Sequence, residues 1–523
     1  MGSVVATVVP VGIEALTRAE VRAVARDGAA VELTKGAEEA VAASRGHIEA
    51  LAADPQPHYG VSTGFGALAT THIPQERRAA LQRSLIRSHA AGAGAPVEPE
   101  VVRAMMLLRL RTLASGRTGV RPRTVAALAA MLNAGLVPIV HEHGSLGCSG
   151  DLAPLAAVGL ALMGEGEVID ASGTRCPAGD ALRGSGIEPV ELAEKEGLAL
   201  INGTDGMLGM LVLATHDLTG LLDTADLTAA MSTEALLGTD RAFAADLQRL
   251  RPHRGQAVSA ARMYALMAGS AIVASHRTPD CTRVQDAYSM RCAPQVHGAA
   301  RDTAAHAASV IDVELASTVD NPVVLPDGRV ESNGNFHGAP LGYVADFLAI
   351  AIADVASMAE RRTDRMLDRA RSHGLPPFLA DDPGVDSGFM IAHYTQAAVV
   401  SELKRLAAPA SVDSIPTSAM QEDHVSMGWA AARKLRQAMR GLGTVLAVEA
   451  MTAARALRLR EPLRPGPATG AAVAALDAVG APGPDRHLAP EIAAAERAVR
   501  DGVLLAAIAP HLDGESTVDR RLA

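Results

Sequence analysis

The stretch Gly144-Ser-Leu-Gly-Cys-Ser-Gly-Asp-Leu-Ala-Pro-Leu155, GSLGCSGDLAPL, sets one cysteine and two serines among three glycines and ends in an acidic residue and a proline. Its backbone reading is direct. Glycines at 144, 147 and 150 supply the positive-φ conformations that tight loops require, and Asp151 followed by Pro154 reads as a helix start. That accounts for the loop but not for Cys148-Ser149-Gly150. The tripeptide sits in no G-x-S-x-G elbow, and no second cysteine is close enough for a C-x-x-C redox or zinc site.

Outward from this loop the chain reads as helical. Pro74 and Pro99 stand where a first helical turn tolerates proline, and Gly116 and Gly135 follow periodic runs as C-terminal caps do. The segment 99–114 is apolar on nearly every side apart from Arg103, Arg109 and Arg111, which predicts a place deep in a bundle. Long Ala-rich helices are expected from about 206 to 300 and from 338 to 455. Strand candidates are short and marginal: VVATVV near the start, VPIV at 137–140 and PVVL at 322–325. No internal repeat is visible. The Pro/Gly-rich stretch 463–485 reads as an irregular connection before a last helix, and GESTVDRRLA as a loose tail.

Composition limits the partners. The 523 residues are 48% hydrophobic and 20% charged, and the formal net charge is −10. This is the composition of a folded chain without a basic surface, so a small molecule is expected as ligand, and neither nucleic acid nor an anionic membrane. ERRTDR at 360–365 is the nearest thing to a basic run and reads as a solvated helix face. The apolar segment 343–359 is interrupted by Asp346 and Asp354 and falls short of the roughly 20 apolar residues of a membrane span. Four scattered cysteines and an N-terminus without signal-peptide character predict a cytoplasmic protein.

Four polar or glycine-rich stretches interrupt the helical pattern: HYGVSTGFG (58–66), the loop at 144–155, NGTDG (202–206) and QEDHVSMG (421–428). Tyr59, framed by glycines, sits on a loop able to approach a ligand closely. YSMRC at 288–292 adds Tyr288 and Arg291. That guanidinium suits bidentate capture of a carboxylate, and equally a buried structural ion pair. His141 and His143 form H-x-H, but no third ligand lies at standard spacing, so no metal is expected.

Taken together, these stretches resemble the histidine/phenylalanine ammonia-lyase family. GSLGCSGDLAPLA is similar to its signature, YGVSTGFG to its tyrosine loop, RSHAAGAG (87–94) to its selectivity segment and NGTDG to its asparagine loop. QDAYSMRC is similar to its carboxylate site and GNFHG (334–338) to its phenylalanine segment. With QEDHVSMG, the matches run in order from about 55 to 430. The resemblance implies a mainly α protein: a long central helical bundle of the fumarase/aspartase/ammonia-lyase type at 206–523, and a smaller N-terminal domain, 1–205, carrying the tyrosine loop and the cofactor-forming loop. It implies a homotetramer with active sites shared between subunits.

The resemblance also implies a cofactor made from the chain itself, with no metal or nucleotide. The Gly150 nitrogen attacks the Cys148 carbonyl carbon, and loss of water leaves Ser149 as the alkene of a methylidene-imidazolone ring, MIO. Tyr59 is implied as the base. Tyr288, Asn202 and Gln285 are implied to orient ring and substrate, Arg291 to hold the carboxylate and Phe336 to wall the pocket. Histidine-specific members carry Ser-His at the selectivity pair, here Ser88-His89, and Glu where this chain has Glu422. An imidazole N–H satisfies a carboxylate, whereas a phenyl ring would leave it unpaired. The implied reaction is loss of ammonia from L-histidine to give urocanate.

Ala157, Met420, His297 and His393 depart from the family pattern. If either histidine faces the pocket, a related amino acid or an aminomutase outcome follows. A non-catalytic binding or scaffold protein is the alternative of a different class, and retention of Cys148-Ser149-Gly150, Tyr59 and Arg291 favours the enzyme.

Overall fold

The computed structural model describes residues 8–512 except Phe65, Ala69, Ser149, Asp280, Thr282 and Ala478. The fold is mainly helical, as the sequence predicts. Ala-rich stretches with few breakers run as the long helices Asp205–Ala235, Ala293–Ala316, Ala339–Leu367 and Gly428–Arg458. Pro99 occupies the first turn of helix Pro99–Ala114, and Gly116 and Gly135 take positive φ just beyond Pro99–Ala114 and Pro122–Asn133. Strands are short. Val8–Val11 pairs in parallel with Ala30–Leu33, Val137–Pro138 joins the antiparallel Glu167–Ile169, and Val323–Val324 pairs with Val330–Glu331.

The chain forms two compact units. The first contains Met1–Leu213 together with Ala308–Ala345 and Pro409–Arg433. Its division from the rest therefore differs from a single cut at residue 205: two later segments return to the N-terminal part, and they carry GNFHG and QEDHVSMG. Helix Pro99–Ala114 is the spine of this unit, with Leu107, Leu110, Leu113 and Arg109 fully buried.

The second unit contains Ala214–Ala307, Asp346–Ala408 and Lys434–Ala523. Its core joins Leu227, Met231, Phe243, Met263, Phe389 and Met451, apolar side chains that leave water on folding.

Three sequence expectations need correction. ERRTDR is no solvated face: Arg361 is exposed, but Glu360 is buried and Arg362 is fully buried, gripping Glu449 through Nε at 2.5 Å and Nη2 at 3.0 Å. A helix has one face toward its core, and a charge on that face persists only with a partner. The Pro/Gly-rich stretch holds a helix, Pro467–Ala475, because Pro467 presets φ in the first turn of an Ala-rich run. Two further helices follow it, Ala489–Arg500 and Val503–Ile508. The expected loose tail lies outside the described residues.

The third correction concerns apolar length. Among the described residues, Glu196–Ala235 and Ala339–Leu367 are long and apolar enough to cross a membrane by length and composition alone. The apolar window of the first is wholly buried within the protein. In the second, Asp346 is buried and paired with Lys434.

Candidate active site

Loop 144–150 is held from three directions within the first unit. Gly144, Gly147 and Gly150 all have positive φ, so the sequence reading of this turn stands. The Met427 amide donates to the Leu146 carbonyl at 2.8 Å. The Gly147 carbonyl accepts from the Gly338 amide at 2.9 Å and the Ser426 hydroxyl at 2.6 Å. The Asp151 amide donates to the Gly203 carbonyl at 2.7 Å. A Cβ on Gly150 would run into the Gly203 amide, and one on Gly203 into the Arg109 guanidinium, so both glycines are required by close packing.

Asp151 anchors the loop to helix Asp205–Ala235. Its Oδ1 accepts from Ser145 Oγ at 2.8 Å, and its Oδ2 from the amides of Gly206 and Met207 at 2.9 and 3.0 Å, in the first turn of Asp205–Ala235. Burial nevertheless pushes its carboxyl up to about 7, since neutral donors only partly replace water around a charge.

Asn202 ends the short helix Glu196–Ile201. Its Nδ2 donates to the Asn321 carbonyl at 2.7 Å, while its Oδ1 is buried without a hydrogen-bond partner among the described residues. Arg109 holds this corner together. Its Nη1 donates to the carbonyls of Ala199 and Asn202 at 2.9 and 3.0 Å, its Nη2 donates to that of Val319 at 3.1 Å, and it pairs with Asp205 at 2.8 Å.

Glu422 and Cys148 meet: the thiol donates to Glu422 Oε2 at 3.5 Å, and the Thr417 hydroxyl donates to the same oxygen at 3.0 Å. His89 closes helix Gln75–His89, and its Nδ1–H donates to the Leu85 carbonyl at 2.9 Å, which leaves Nε2 with the lone pair. Burial lowers the His89 pKa, against the opposing pull of the Glu422 charge. Cys148, His89 and Glu422 are thus brought together although 59 and 274 positions separate the outer two from the cysteine.

Tyr59 is half-buried on a loop pinned by the His58 amide on Ser62 Oγ at 2.9 Å, and its hydroxyl oxygen accepts from the Gly66 amide at 3.4 Å. Phe336 is half-buried, two residues before the Gly338 amide that holds the loop. Ser149 lies outside the described residues.

The remaining candidates belong to the second unit. Gln285 and Tyr288 are exposed, Tyr288 by 71%. The Arg291 guanidinium lies 4.6 Å over the Tyr288 ring and donates through Nε to the Asp286 carbonyl at 2.9 Å. It has no acidic partner among the described residues, so the ion-pair alternative is not what the structure contains. His297 is fully buried and donates from Nδ1 to Asp226 at 2.8 Å; His393 pairs with Glu360 at 2.6 Å. Both departures are taken up by carboxylates of this unit. The other two departures lie in the first unit: Ala157 is half-buried on helix Leu152–Leu162, and Met420 is exposed with φ of 69°.

Sequence reasoning missed Arg109, Thr417 and Ser426 as holders of the loops, and the parallel stack of His337 on His424, 5.6 Å apart. Ser426 and the two histidines lay inside stretches already singled out, without a role. Arg109 carries no local signal because its partners are remote in the chain, and Thr417 falls just outside QEDHVSMG.

The model of the family described as aromatic amino acid lyase matches residues 16–478. Histidine ammonia-lyase of Streptomyces griseus is 65% identical over 506 residues, 96% of this chain and 98% of that protein. Among solved structures, histidine ammonia-lyase of Trypanosoma cruzi superposes with a TM-score of 0.88 at 36% identity, covering 97% of this chain and 96% of the other. A tyrosine aminomutase of Streptomyces globisporus superposes with a TM-score of 0.90 at 38% identity, covering 97% and 99%.

Proposed function

Because the chain belongs to the aromatic amino acid lyase family, we propose that it is an ammonia-lyase that releases ammonia from L-histidine to give trans-urocanate. The observation that carries the choice of substrate is the placement of Glu422 beside Cys148, within electrostatic reach of His89. A carboxylate there is satisfied by an imidazole N–H and left costly by a phenyl ring. Near-full-length likeness to histidine ammonia-lyases supports the same choice. The fold alone does not separate lyase from mutase, since an aminomutase shares it.

Cys148-Ser149-Gly150 fit the MIO ring. Gly150 has positive φ and no room for a side chain, and Asn202 Oδ1 is a buried acceptor with no partner among the described residues. Once formed, the ring supplies an electron-poor alkene that makes the amine a better leaving group. Asn202 would hold it from one side and Asp151 would fix the loop below.

The other residues act on the substrate. Tyr59 would act as its phenolate: the oxygen takes the β-proton, the C–H electron pair becomes the Cα=Cβ bond, and the substrate's ammonium group departs as ammonia. Glu422 and His89 orient the imidazole, and Phe336 walls the pocket. In an assembly whose active sites are shared between subunits, Arg291 of another copy would bind the carboxylate in bidentate fashion with the two guanidinium nitrogens that Nε leaves free, and that copy's Tyr288 and Gln285 would orient the amine end.

We further propose a cytoplasmic homotetramer with shared active sites. The free cysteines fit a reducing compartment. Exposed Tyr288, Tyr343, Phe347, Ile350, Ile391 and Tyr394 fit burial against other copies.

The test is absorbance of urocanate on mixing with L-histidine, run beside phenylalanine and tyrosine, with intact mass for the loss of two waters on ring closure. Urocanate from histidine at least about a hundredfold faster than any other product is expected, an interval of about 2.7 kcal/mol. A β-amino acid as the main product, or no reaction of histidine, overturns the proposal.

A further inference from the structure

We propose that Thr417 and Cys148 are positioning residues that aim the Glu422 carboxylate, fixing one oxygen so that the other is presented to the substrate imidazole. The inference rests on the histidine reading above and goes beyond it by naming what sets the selectivity carboxylate in place. Oε2 of Glu422 accepts from the Thr417 hydroxyl at 3.0 Å and from the Cys148 thiol at 3.5 Å. No donor among the described residues reaches Oε1.

Thr417 is itself fixed against the residue it orients. Its amide donates to the Glu422 carbonyl at 3.0 Å, and the Glu422 amide donates back to the Thr417 carbonyl at 3.3 Å, forming a narrow antiparallel bridge. Between them Ser418, Ala419 and Met420 all have positive φ. Three such residues in succession are costly for side chains with a Cβ and persist only where the surroundings enforce them. The turn keeps the hydroxyl on the carboxylate.

Cys148, remote in the chain, supplies the second donor. Burial and the neighbouring Glu422 charge push its thiol up to about 12, so it stays protonated and donates. Ring closure at 148–150 would use backbone atoms and the Ser149 hydroxyl and would not consume this thiol. Glutamate has three rotatable side-chain torsions, and two donors on one oxygen remove much of that freedom before substrate arrives.

The experiment compares the wild type with Thr417→Val, Thr417→Ser and Cys148→Ala. It measures kcat/KM for histidine, inhibition constants for urocanate and for cinnamate, and intact mass. Urocanate and cinnamate share the carboxylate and the alkene and differ in the ring, so a loosened loop moves both whereas a misaimed carboxylate moves only the first. Thr417→Val is expected to lose about ten- to a hundredfold in kcat/KM and to weaken urocanate binding by at least about tenfold, the range for a hydrogen bond to a charged group. Cinnamate should shift by less than about threefold.

Thr417→Ser should stay within about threefold of the wild type. Cys148→Ala should lose about two- to tenfold in urocanate binding and retain the mass loss of two waters, since a thiol is a weak donor. Equal weakening of both inhibitors, unchanged urocanate binding in Thr417→Val, or failure of serine to rescue overturns the inference alone. Absence of urocanate formation by the wild type overturns the histidine reading and this inference with it.

Discussion

Asp151 in the first unit and Asp226 in the second are the same residue type, equally buried at 0% exposure, and their carboxyls are shifted in opposite directions. Asp151 is met only by amides and a hydroxyl, and burial raises its pKa to about 7. Asp226 is met by Arg301 at 2.7 Å, by the His297 ring N–H at 2.8 Å and by Arg262 at 3.8 Å, and the two guanidinium charges with that hydrogen bond hold it well below the carboxylate range against the same burial. Neutral dipoles orient a carboxyl without neutralising its charge, whereas a guanidinium does both. The lesson is a division of labour. Loop 144–151 of the first unit is held by backbone amides and hydroxyls around glycines, which suits close approach of a ligand, with the Arg109–Asp205 pair standing behind it; Asp226 and Glu449 of the second unit are braced directly by ion pairs.

If that division holds, side chains removed from the loop region register in rate and those removed from the braces register in stability. Tyr59→Phe carries the largest expected effect. It keeps the ring and removes the proposed base, so kcat should fall by about 10⁴-fold, the top of the range for general acid–base groups, with an unchanged melting temperature and intact ring mass. A fall of less than about tenfold would make Tyr59 a filler under its loop.

Arg301→Met comes next. It leaves Asp226 and Asp223 with only the more distant Arg262 as a shared guanidinium, and breaking a buried pair by removing one partner costs about 3–5 kcal/mol. Denaturant unfolding should show that loss. A cost under about 1 kcal/mol would remove the contrast between the units.

Gly150→Ala tests the loop from its backbone. The added methyl meets the Gly203 amide at a positive-φ position, so about 1–3 kcal/mol of stability should be lost. The two-water mass loss should fail to appear, and a fully dehydrated variant would show that the close packing does not govern ring closure.

The smallest expected effect lies in pH dependence. The Asp151 pKa is raised on folding, so its contribution to stability is fully present below the ordinary value of 3.8 and is lost as pH rises through about 7. The Asp226 pKa is lowered on folding, so its contribution is present above 3.8 and is lost as pH falls. Melting temperatures at pH 5 and pH 8 should therefore fall less with rising pH in Asp151→Asn than in the wild type. An identical difference in the two proteins would show that Asp151 is ionised across this range.

Much of the site was legible because its signals are local. A glycine with positive φ, a proline in a first turn and a tripeptide able to cyclise are properties of a few adjacent residues, and each of Gly144, Gly147 and Gly150 behaves as its type requires. Other features were not legible. ERRTDR has the same composition whether it faces water or a core, and only the arrival of Glu449 from 87 residues away makes Arg362 a buried brace.

The sequence by itself determined the helical class, the turns, the family and the residues able to carry the chemistry, since these depend on backbone conformation and side-chain type within short windows. Tertiary structure alone decided which of those residues meet. Two segments, Ala308–Ala345 and Pro409–Arg433, return to the N-terminal unit and bring Gly338, Ser426 and Glu422 onto the loop. The physical reason is that a buried polar group takes whatever partner packing delivers, and a partner 274 residues away leaves no trace in local pattern.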